Sequence, residues 1–285
     1  MTTISETIAF IGAGHMAAAL IEGVIAAGTC APGRISATDV RPDALDALAK
    51  RLGIATGSDN AAAARAADVI VLSVKPQVFG ALLPEIAGSI APHQLVLSIA
   101  AGVPIAAIEG RLAPGARVVR AMPNTPALVR CGATALAAGS RATADDLALA
   151  EQLFRSVGIV ERVPESQMDA VTALSGSGPA YVFYMVEALT EAGVRAGLPA
   201  ATAAALTAQT VLGAARMLSE GSDPPEELRR KVTSPGGTTA AGIAQFDAAG
   251  LREIVARAVE HAQERGRELG AQARAQATAG PKGSP

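Results

Sequence analysis

Near its beginning the chain carries the sequence Ile8-Ala9-Phe10-Ile11-Gly12-Ala13-Gly14-His15-Met16-Ala17. An apolar run typical of a strand passes through two glycines into an alanine-rich run typical of a helix. Gly12 permits a tight turn, Gly14 lets the backbone approach a pyrophosphate, and Ala17 is small enough for the helix to pack on the strand. Because the first N–H groups of a helix are unpaired, they attract phosphate. Residues 12–17 are therefore predicted to form a dinucleotide-binding turn.

The rest of the first half alternates short β-branched runs with alanine-rich runs, which indicates parallel βαβ units. The predicted strands are Ile8–Ile11, Ile35–Thr38, Val69–Ser73, Leu95–Ile99, Val118–Ala121, Ala133–Ala137 and Gly158–Val163. The predicted helices between them are Met16–Ala27, Asp43–Leu52, Pro76–Ile90, Pro104–Arg111 and Ala144–Val157. Since several strands are apolar without strict alternation, we expect a sheet that is covered on both faces.

Beyond about Pro164 the sequence indicates helices alone, separated by glycine and proline punctuation. They are predicted at Met168–Leu174, Pro179–Ala196, Ala200–Leu218, Pro225–Val232, Thr239–Ala248 and Leu251–Ala271. The predicted fold class is α/β, a Rossmann-type doubly wound parallel sheet followed by an all-α helical domain. We assign residues 1–164 to the dinucleotide-binding domain, residues 165–275 to the helical domain and residues 276–285 to a disordered tail.

Further candidate cofactor residues follow the later strands, because a dinucleotide crosses the carboxyl ends of parallel strands. These loops contain Asp39 and Arg41, Ser73-Val74-Lys75-Pro76, Ala100-Ala101-Gly102 and Met122-Pro123-Asn124-Thr125-Pro126. Asp39 would hydrogen-bond the adenine ribose hydroxyls of NAD, whereas Arg41 would grip the 2′-phosphate of NADP. The residues alone leave this choice open.

Composition and charge argue against several other classes of protein. Lys and Arg number 24 against 26 Asp and Glu, so the net charge of −2 offers no basic surface for nucleic acid or an acidic membrane. Cys30 and Cys131 lie outside any C-x-x-C spacing, which is typical of a reducing compartment. The polar start shows no secretory signal, no apolar stretch approaches the ~18 residues of a membrane span, and no metal-ligand constellation is apparent. We therefore expect a cytoplasmic protein.

The helical half contains two clusters of glycine and hydroxyl residues, at residues 169–181 and 231–239. Each comes directly before a predicted helix, where such residues cap the helix and provide a nest of N–H donors. The run Ser234-Pro235-Gly236-Gly237-Thr238-Thr239 exceeds what a cap requires. Because a nest of this kind suits a small carboxylate, this run is a candidate ligand site.

Five segments together resemble pyrroline-5-carboxylate reductase, over about residues 8–269. They are Gly12–Ala17, Ser73–Pro76, Met122–Pro126, Leu174–Tyr181 and Val232–Thr239, of which the last is highly specific to that family. The resemblance implies reduction of 1-pyrroline-5-carboxylate to L-proline, the last step of proline synthesis, with NADPH and in many members also NADH. It further implies a homodimer formed through the helical domains, in some members assembled into a larger ring such as a decamer.

The resemblance also implies roles for individual residues. Cofactor contacts fall on Gly12, Ala13, Gly14, His15, Met16, Ala17, Asn60, Ser73, Val74, Lys75, Pro76, Ala100, Ala101 and Gly102. Substrate contacts fall on Glu165, Ser234, Gly237, Thr238 and Thr239. Lys231 stands where a relative has an asparagine near the cofactor, so we assign it no role.

A protonated cyclic imine is already electrophilic at its C=N carbon, so its reduction needs positioning more than acid–base machinery. This agrees with the two clusters, which contain no His, Cys or paired carboxylates. We expect the N–H groups of residues 237–239 to bind the carboxylate and the Thr239 hydroxyl to hydrogen-bond the ring nitrogen, in a pocket that faces the nicotinamide. Thr239 is the predicted catalytic residue, since a positioned hydroxyl or an ordered water could also deliver a proton.

Two other functions fit parts of the sequence. A dehydrogenase of the β-hydroxyacid type shares the layout but would be expected to use a lysine in mid-helix, and Lys231 lies in a capping motif. A non-catalytic dinucleotide-binding redox sensor would keep the N-terminal loops but has no use for the run at residues 234–239. Oxidation of cofactor that depends on added 1-pyrroline-5-carboxylate separates the three functions.

Overall fold

The computed structural model describes residues 3–278 of the chain, with the backbone alone for residues 273–278. Within that range the strands are β1 (Ile8–Ile11), β2 (Ile35–Thr38), β3 (Ala55–Gly57), β4 (Val69–Leu72), β5 (Leu95–Ser98), β6 (Arg117–Met122), β7 (Gly132–Ala138) and β8 (Gly158–Arg162). The α-helices before β8 are α1 (His15–Ala26), α2 (Pro42–Leu52), α3 (Asn60–Ala66), α4 (Phe79–Ala87), α5 (Ile105–Glu109) and α6 (Ala144–Arg155). Those after β8 are α7 (Met168–Val171), α8 (Gly178–Arg195), α9 (Ala200–Glu220), α10 (Pro225–Lys231), α11 (Thr238–Ala248) and α12 (Leu251–Thr278).

The described strands form one sheet in the order β3-β2-β1-β4-β5-β6-β7-β8. Every pair from β3 to β6 is parallel. The strand order reverses between β1 and β4, which is where doubly wound sheets open a crevice for their ligand. The predicted Rossmann-type sheet, followed by a helical region, is confirmed.

One strand pair departs from the predicted parallel sheet. β6 and β7 are antiparallel, with Val119 opposite Ala138. Only residues 123–131 separate the two strands, and the segment Thr125–Val129 within them is a 3₁₀ turn. Because a parallel connection needs a crossover of about a dozen residues or more, this short loop makes the chain reverse its direction.

The sequence prediction misses β3 and α3. β3 has three residues, one of them a glycine, and so lacks an apolar run. α3 begins at Asn60 behind a cap, Asp59, whose side chain accepts a 2.8 Å hydrogen bond from the Ala62 N–H. Two predicted helices also differ in detail, since Pro76–Val78 is a 3₁₀ turn before α4 and α7 continues as a π-helix over Thr172–Gly176. These are short elements, for which periodicity gives a weak signal.

Apolar side chains cover both faces of the sheet. Along β1, Ile8 and Phe10 belong to one buried cluster, and Ala9 and Ile11 belong to another. The first cluster contains side chains of α1, α2 and α6, whereas the second contains side chains of α3, α4 and α5. This alternation fixes the register, because a slip by one residue would exchange the two faces. The sheet is therefore a rigid base for the loops at its carboxyl edge.

The chain divides into two compact units, whose limits differ from the predicted domains. The first unit runs to Ser177 and resumes at His261, and the second spans Gly178–Glu260. The predicted boundary at residues 164–165 follows the last strand, but Met168 of α7 is buried in a cluster of the sheet, so the first unit continues beyond it. Of the predicted tail, residues 276–278 belong to α12 and the others lie outside the described residues.

The second unit contains α8 to α11 and the first part of α12. α8 and α9 approach closely at Gly193, where a Cβ atom would lie 3.2 Å from the Cβ of Ala203. Ala203 is the only buried apolar side chain of this unit. A set of helices with one buried apolar residue has no hydrophobic core of its own in a single chain.

The length and hydrophobicity of the helices can also be compared with those of a membrane-spanning helix. Along residues 3–278 we find no helix whose apolar stretch would be sufficient to traverse a lipid bilayer.

Candidate functional site

The glycine turn lies between β1 and α1, at the carboxyl edge of the sheet. Gly12 has a φ of +99°, and a Cβ atom there would lie 2.9 Å from both the Ser73 carbonyl oxygen and Val74 Cγ1. No described side chain caps α1 behind Gly14, and a Cβ atom on Gly14 would meet nothing within 4 Å. The turn thus combines available N–H donors with open space, which fits a pyrophosphate group.

The first turn of α1 holds three further residues that are predicted to contact the cofactor. His15 is exposed and Met16 is half-buried. Ala17 is buried in the cluster beneath the turn, so its small side chain allows α1 to lie close to the sheet.

Asp39 joins the glycine turn to the end of β2. Its Oδ2 accepts a 2.9 Å hydrogen bond from the Ala13 N–H. The Arg41 guanidinium donates to Asp39 Oδ1 at 2.9 Å and to Oδ2 at 3.1 Å. The hydrogen bonds from Arg41 are the main cause that lowers the pKa of Asp39, and the carboxylate raises the pKa of Arg41 in turn. The two residues that predict opposite cofactors therefore form one ion pair.

Asn60 is held by a chain of hydrogen bonds that the sequence does not reveal. The Thr38 hydroxyl donates to Asn60 Oδ1 at 2.6 Å, and Asn60 Nδ2 donates to Glu85 Oε1 at 3.1 Å. Thr38 ends β2 and Glu85 lies on α4, so both sides of the Asn60 amide are fixed by neighbouring elements. The sequence analysis missed Thr38 and Glu85 as partners of Asn60, since they are distant from it in sequence and belong to no motif.

Ser73 ties the end of β4 to the glycine turn. Its hydroxyl donates to the Gly12 carbonyl at 2.6 Å and to the Ile11 carbonyl at 3.0 Å. Lys75 is exposed beyond it, and Pro76 begins the 3₁₀ turn that leads to α4. The Ser73 hydroxyl therefore stabilises the turn, while Lys75 is left accessible.

The loop after β5 completes the predicted cofactor edge. Ala100 is buried, Ala101 is exposed, and Gly102 has a φ of +73°. A Cβ atom on Gly102 would lie 3.5 Å from the Cβ of Leu269 in α12. Because β1, β2, β4 and β5 are parallel, the loops that follow them lie along one edge of the sheet.

Glu165, predicted to contact substrate, follows β8 and belongs to the first unit. Its Oε1 accepts a 2.6 Å hydrogen bond from the Ile105 N–H at the start of α5 and lies 3.4 Å from Arg120 Nη1. Glu165, Arg120 and Gly102 line the same cavity of about 390 Å³. The sequence analysis missed Arg120, although a charged residue inside the apolar run at residues 118–121 is itself a signal.

Two segments of the family resemblance contact each other. Asn124 Nδ2 donates to the carbonyl oxygen and to the hydroxyl of Ser175, both at 3.2 Å, and its Oδ1 accepts a 2.9 Å hydrogen bond from the Ala133 N–H. A Cβ atom on Gly176 would lie 2.6 Å from Met122 Cε. These residues thus have a structural role, which is to join the π-helix to the sheet.

The threonine loop, residues 234–239, leads into α11 of the second unit and includes the first two residues of that helix. Gly236 has a φ of +70°, and the Gly237 N–H donates to the Ser234 carbonyl at 3.0 Å, which closes a turn. No described side chain caps α11. The hydroxyls of Ser234, Thr238 and Thr239 likewise have no hydrogen-bond partner among the described residues, and both threonines are exposed. Capping therefore does not explain this loop, and its three hydroxyls and the N–H groups of Thr238 and Thr239 are available to a ligand.

Other charged residues of the second unit pair with each other. Lys231 lies 2.5 Å from Asp223, and Arg230 lies 2.6 Å from Glu227, so two of the three basic side chains at the end of α10 are neutralised locally. Within residues 3–278 no group of three or more His, Cys, Asp or Glu side chains could hold a metal ion. The candidate groups of the first unit are thus backbone N–H groups and two ion pairs, Asp39–Arg41 and Arg120–Glu165, and those of the second unit are N–H groups and hydroxyls.

Comparisons with known proteins show which family and which fold this chain shares. A family model described as pyrroline-5-carboxylate reductase dimerisation matches residues 165–269, and one described as NADP oxidoreductase coenzyme F420-dependent matches residues 7–102. Pyrroline-5-carboxylate reductase of Methanosarcina acetivorans is 46% identical over 92% of this chain and 97% of its own length. The structure of a pyrroline-5-carboxylate reductase from Coxiella burnetii has a TM-score of 0.89 at 44% identity, covering 93% of this chain and 99% of that chain. That of Plasmodium falciparum pyrroline carboxylate reductase with NADP bound has a TM-score of 0.83 at 30% identity, covering 94% and 99%.

Proposed function

Since the chain belongs to the pyrroline-5-carboxylate reductase family, we propose that its glycine turn and its threonine loop divide one reaction between them. The reaction is the reduction of 1-pyrroline-5-carboxylate to L-proline, the last step of proline biosynthesis. When bound, NADPH supplies the hydride that the C=N carbon of the substrate accepts. The match of residues 165–269 disfavours both a β-hydroxyacid dehydrogenase and a redox sensor without catalysis.

The cofactor half of the proposal assigns NADPH to the edge formed by the glycine turn and the loops after β2, β4 and β5. The free N–H groups at the start of α1 take the pyrophosphate, and the accessible Lys75 and Arg41 provide positive charge nearby. The Arg41 side chain is 59% exposed, so it can turn toward a 2′-phosphate. Arg41 also neutralises Asp39, whose charge would otherwise repel that phosphate.

The substrate half assigns the carboxylate of 1-pyrroline-5-carboxylate to the N–H groups of residues 237–239. The observation that carries this assignment is that no described side chain caps α11, so the N–H groups of Thr238 and Thr239 have no partner, while the Gly237 N–H only closes the turn to Ser234. The Thr239 hydroxyl hydrogen-bonds the ring nitrogen, which holds the imine carbon in place for attack. Positioning of this kind provides much of the rate gain where the substrate is already electrophilic.

The test of this function is oxidation of NADPH that depends on added 1-pyrroline-5-carboxylate, with L-proline identified as the product. The matched control is 1-pyrroline, which keeps the imine ring and lacks the carboxylate. We expect kcat/KM for 1-pyrroline to be lower by about 100-fold or more, because the N–H nest then has no anion to bind. Equal kcat/KM for the two imines would refute the carboxylate assignment while leaving the reductase activity intact.

The chain is part of an oligomer, as its dimerisation family model indicates, and we propose a homodimer formed by the second unit. Phe183 and Tyr184 on α8 are 62% and 75% exposed in the single chain, and only Ala203 of that unit is buried. A second copy that covers these helices supplies the missing core. Light scattering should therefore give the mass of a dimer or of a ring of dimers such as a decamer, and a monomer would refute the proposal.

We further propose that the enzyme acts in the cytoplasm. Cys30 is buried, Cys131 is exposed, and both are free thiols, which suits a reducing compartment. Fractionation of cells followed by the activity assay tests this location, and activity confined to an oxidising compartment would contradict it.

A further inference from the structure

Arg120 is a charged residue in the middle of a buried strand. Its neighbours on β6, Val119 and Ala121, are fully buried, and its own side chain is 4% exposed. Burial of a guanidinium is costly unless the charge is paired and its N–H groups are bonded. The contacts of Arg120 should therefore explain why a guanidinium is buried in the sheet.

The contact of Arg120 is Glu165. Arg120 Nη1 lies 3.4 Å from Glu165 Oε1, while Arg120 Nε and Nη2 have no partner among residues 3–278. The Glu165 side chain is 34% exposed, so the buried guanidinium is paired with a carboxylate that a ligand can reach. The same Oε1 also accepts the hydrogen bond from the Ile105 N–H. Two donors therefore hold one oxygen of Glu165, and Oε2 has no bond to a described residue.

A cavity lies beside the Arg120–Glu165 pair, and it could accept a ligand. Gly102, Arg120, Glu165, Asp169 and Arg267 are among its lining residues, and all of them belong to the first unit. Gly102 ends the predicted cofactor loop, and residues 103 and 104 connect it to α5, whose first N–H bonds Glu165. The orientation of Glu165 is thus set by the strand that carries Arg120 and by the helix that follows the cofactor loop.

We propose that Arg120 is a positioning residue of the substrate site and acts through Glu165. It fixes Oε1, which leaves Oε2 to face the positive charge of the protonated imine and to accept a hydrogen bond from the second N–H of the amine product. This inference rests on the proposed substrate role of Glu165. It predicts that loss of Arg120 weakens substrate binding without a contact between Arg120 and the substrate.

The experiment is a double-mutant cycle of Arg120→Met and Glu165→Gln, read as KM and kcat for 1-pyrroline-5-carboxylate at saturating NADPH. Each single variant should raise the substrate KM about tenfold, the effect of one charge-assisted hydrogen bond, and should change the KM for NADPH less than twofold. The double variant should have the KM of a single variant, because Arg120 has nothing to position once Glu165 is changed.

Arg117 provides the matched control on the same strand. It also has a buried Nε without a partner among the described residues, but it bonds Asp146 Oδ1 at 2.8 Å and the His93 carbonyl, away from the cavity. Arg117→Met should lower the melting temperature and leave the substrate KM unchanged. If Arg120→Met does not fold, Arg120→Lys takes its place in the cycle and should raise the substrate KM by a smaller factor.

The outcomes separate the two proposals. An unchanged substrate KM in Glu165→Gln would refute the substrate role of Glu165, and the role of Arg120 would fall with it. A raised KM in Glu165→Gln together with an unchanged KM in the Arg120 variant, or effects that multiply in the double variant, would overturn the role of Arg120 alone.

Discussion

The two compact units of this chain differ in how far a single chain satisfies their polar and apolar groups. In the first unit, Asp39, Asn60 and Ser73 all bond protein atoms around the glycine turn, and the sheet is buried on both faces. In the second unit, Thr238 and Thr239 have exposed side chains, and large apolar side chains are exposed along its helices. The first unit is thus organised within one chain, whereas we propose that a ligand and a second chain complete the second unit.

The largest expected effect is on NADPH affinity, from a substitution of Gly12 in the first unit. In Gly12→Ala the new Cβ would lie 2.9 Å from Ser73 O at a φ that alanine rarely adopts, so the turn must move. Strain of about 3 kcal/mol corresponds to a loss of NADPH affinity of about 100-fold. Fluorescence titration with NADPH measures it. Gly33→Ala, where a Cβ meets nothing within 4 Å, is the control and should bind NADPH normally.

A somewhat smaller effect, on the dimer dissociation constant, should follow when a charge is introduced on α8 of the second unit. Phe183→Glu places a carboxylate on an apolar face that we propose to lie between chains, and an interface aromatic contributes about 2 kcal/mol or more, which is about 30-fold in the dimer dissociation constant. Sedimentation at a series of concentrations measures that constant. Asp46→Asn, a change of one exposed charge on α2 of the first unit, should leave it unchanged, and an unaltered constant in Phe183→Glu would place the interface elsewhere.

A change at Arg41 should affect one cofactor and not the other. Arg41→Ala removes the guanidinium that we assign to the 2′-phosphate and leaves Asp39 unpaired. The KM for NADPH should rise about tenfold, whereas that for NADH should stay within about twofold. Arg51→Ala, which breaks only an exposed pair with Glu22, is the control. Equal changes for both cofactors would contradict the assignment.

The smallest effect concerns the pH dependence of stability. Arg41 lowers the pKa of Asp39 in the folded chain, so Asp39 adds stability above its unfolded pKa of about 3.9 and loses it as pH falls through the lower folded value. Wild type and Asp39→Asn should therefore differ in free energy of unfolding by a constant amount, about 1 kcal/mol, above about pH 5. The difference should shrink below about pH 4. Urea unfolding from pH 3 to pH 7 measures it, and a difference that grows toward low pH would contradict the role of the pair.

The sequence predicts the fold well where periodicity and glycine chemistry act over several residues. β1 agrees with the structure to the residue and α1 begins one residue early, because an apolar strand, two glycines and a helix follow in order. β3 and the reversal between β6 and β7 were not predicted, since they depend on an edge position and on the length of one loop.

The candidate site is predictable only in part, for a similar reason. Parallel topology brings the loops of Gly12, Asp39, Ser73 and Gly102 to one edge, so a rule about strand ends can find them. Which way a side chain points is not given by such a rule, and the pairing of Asp39 with Arg41 and of Arg120 with Glu165 appears only in three dimensions.

The most direct test of a divided reaction is Thr239→Ala, measured both by NADPH titration and by steady-state kinetics. We expect an NADPH dissociation constant within about twofold of wild type and a kcat lower by about 100-fold, the usual contribution of a positioned proton donor. Thr233→Val, which removes a hydroxyl bonded to the Arg229 carbonyl at 2.6 Å in the same segment, should keep its kcat. A wild-type kcat in Thr239→Ala, or a loss of NADPH binding equal to the loss of kcat, would contradict the account.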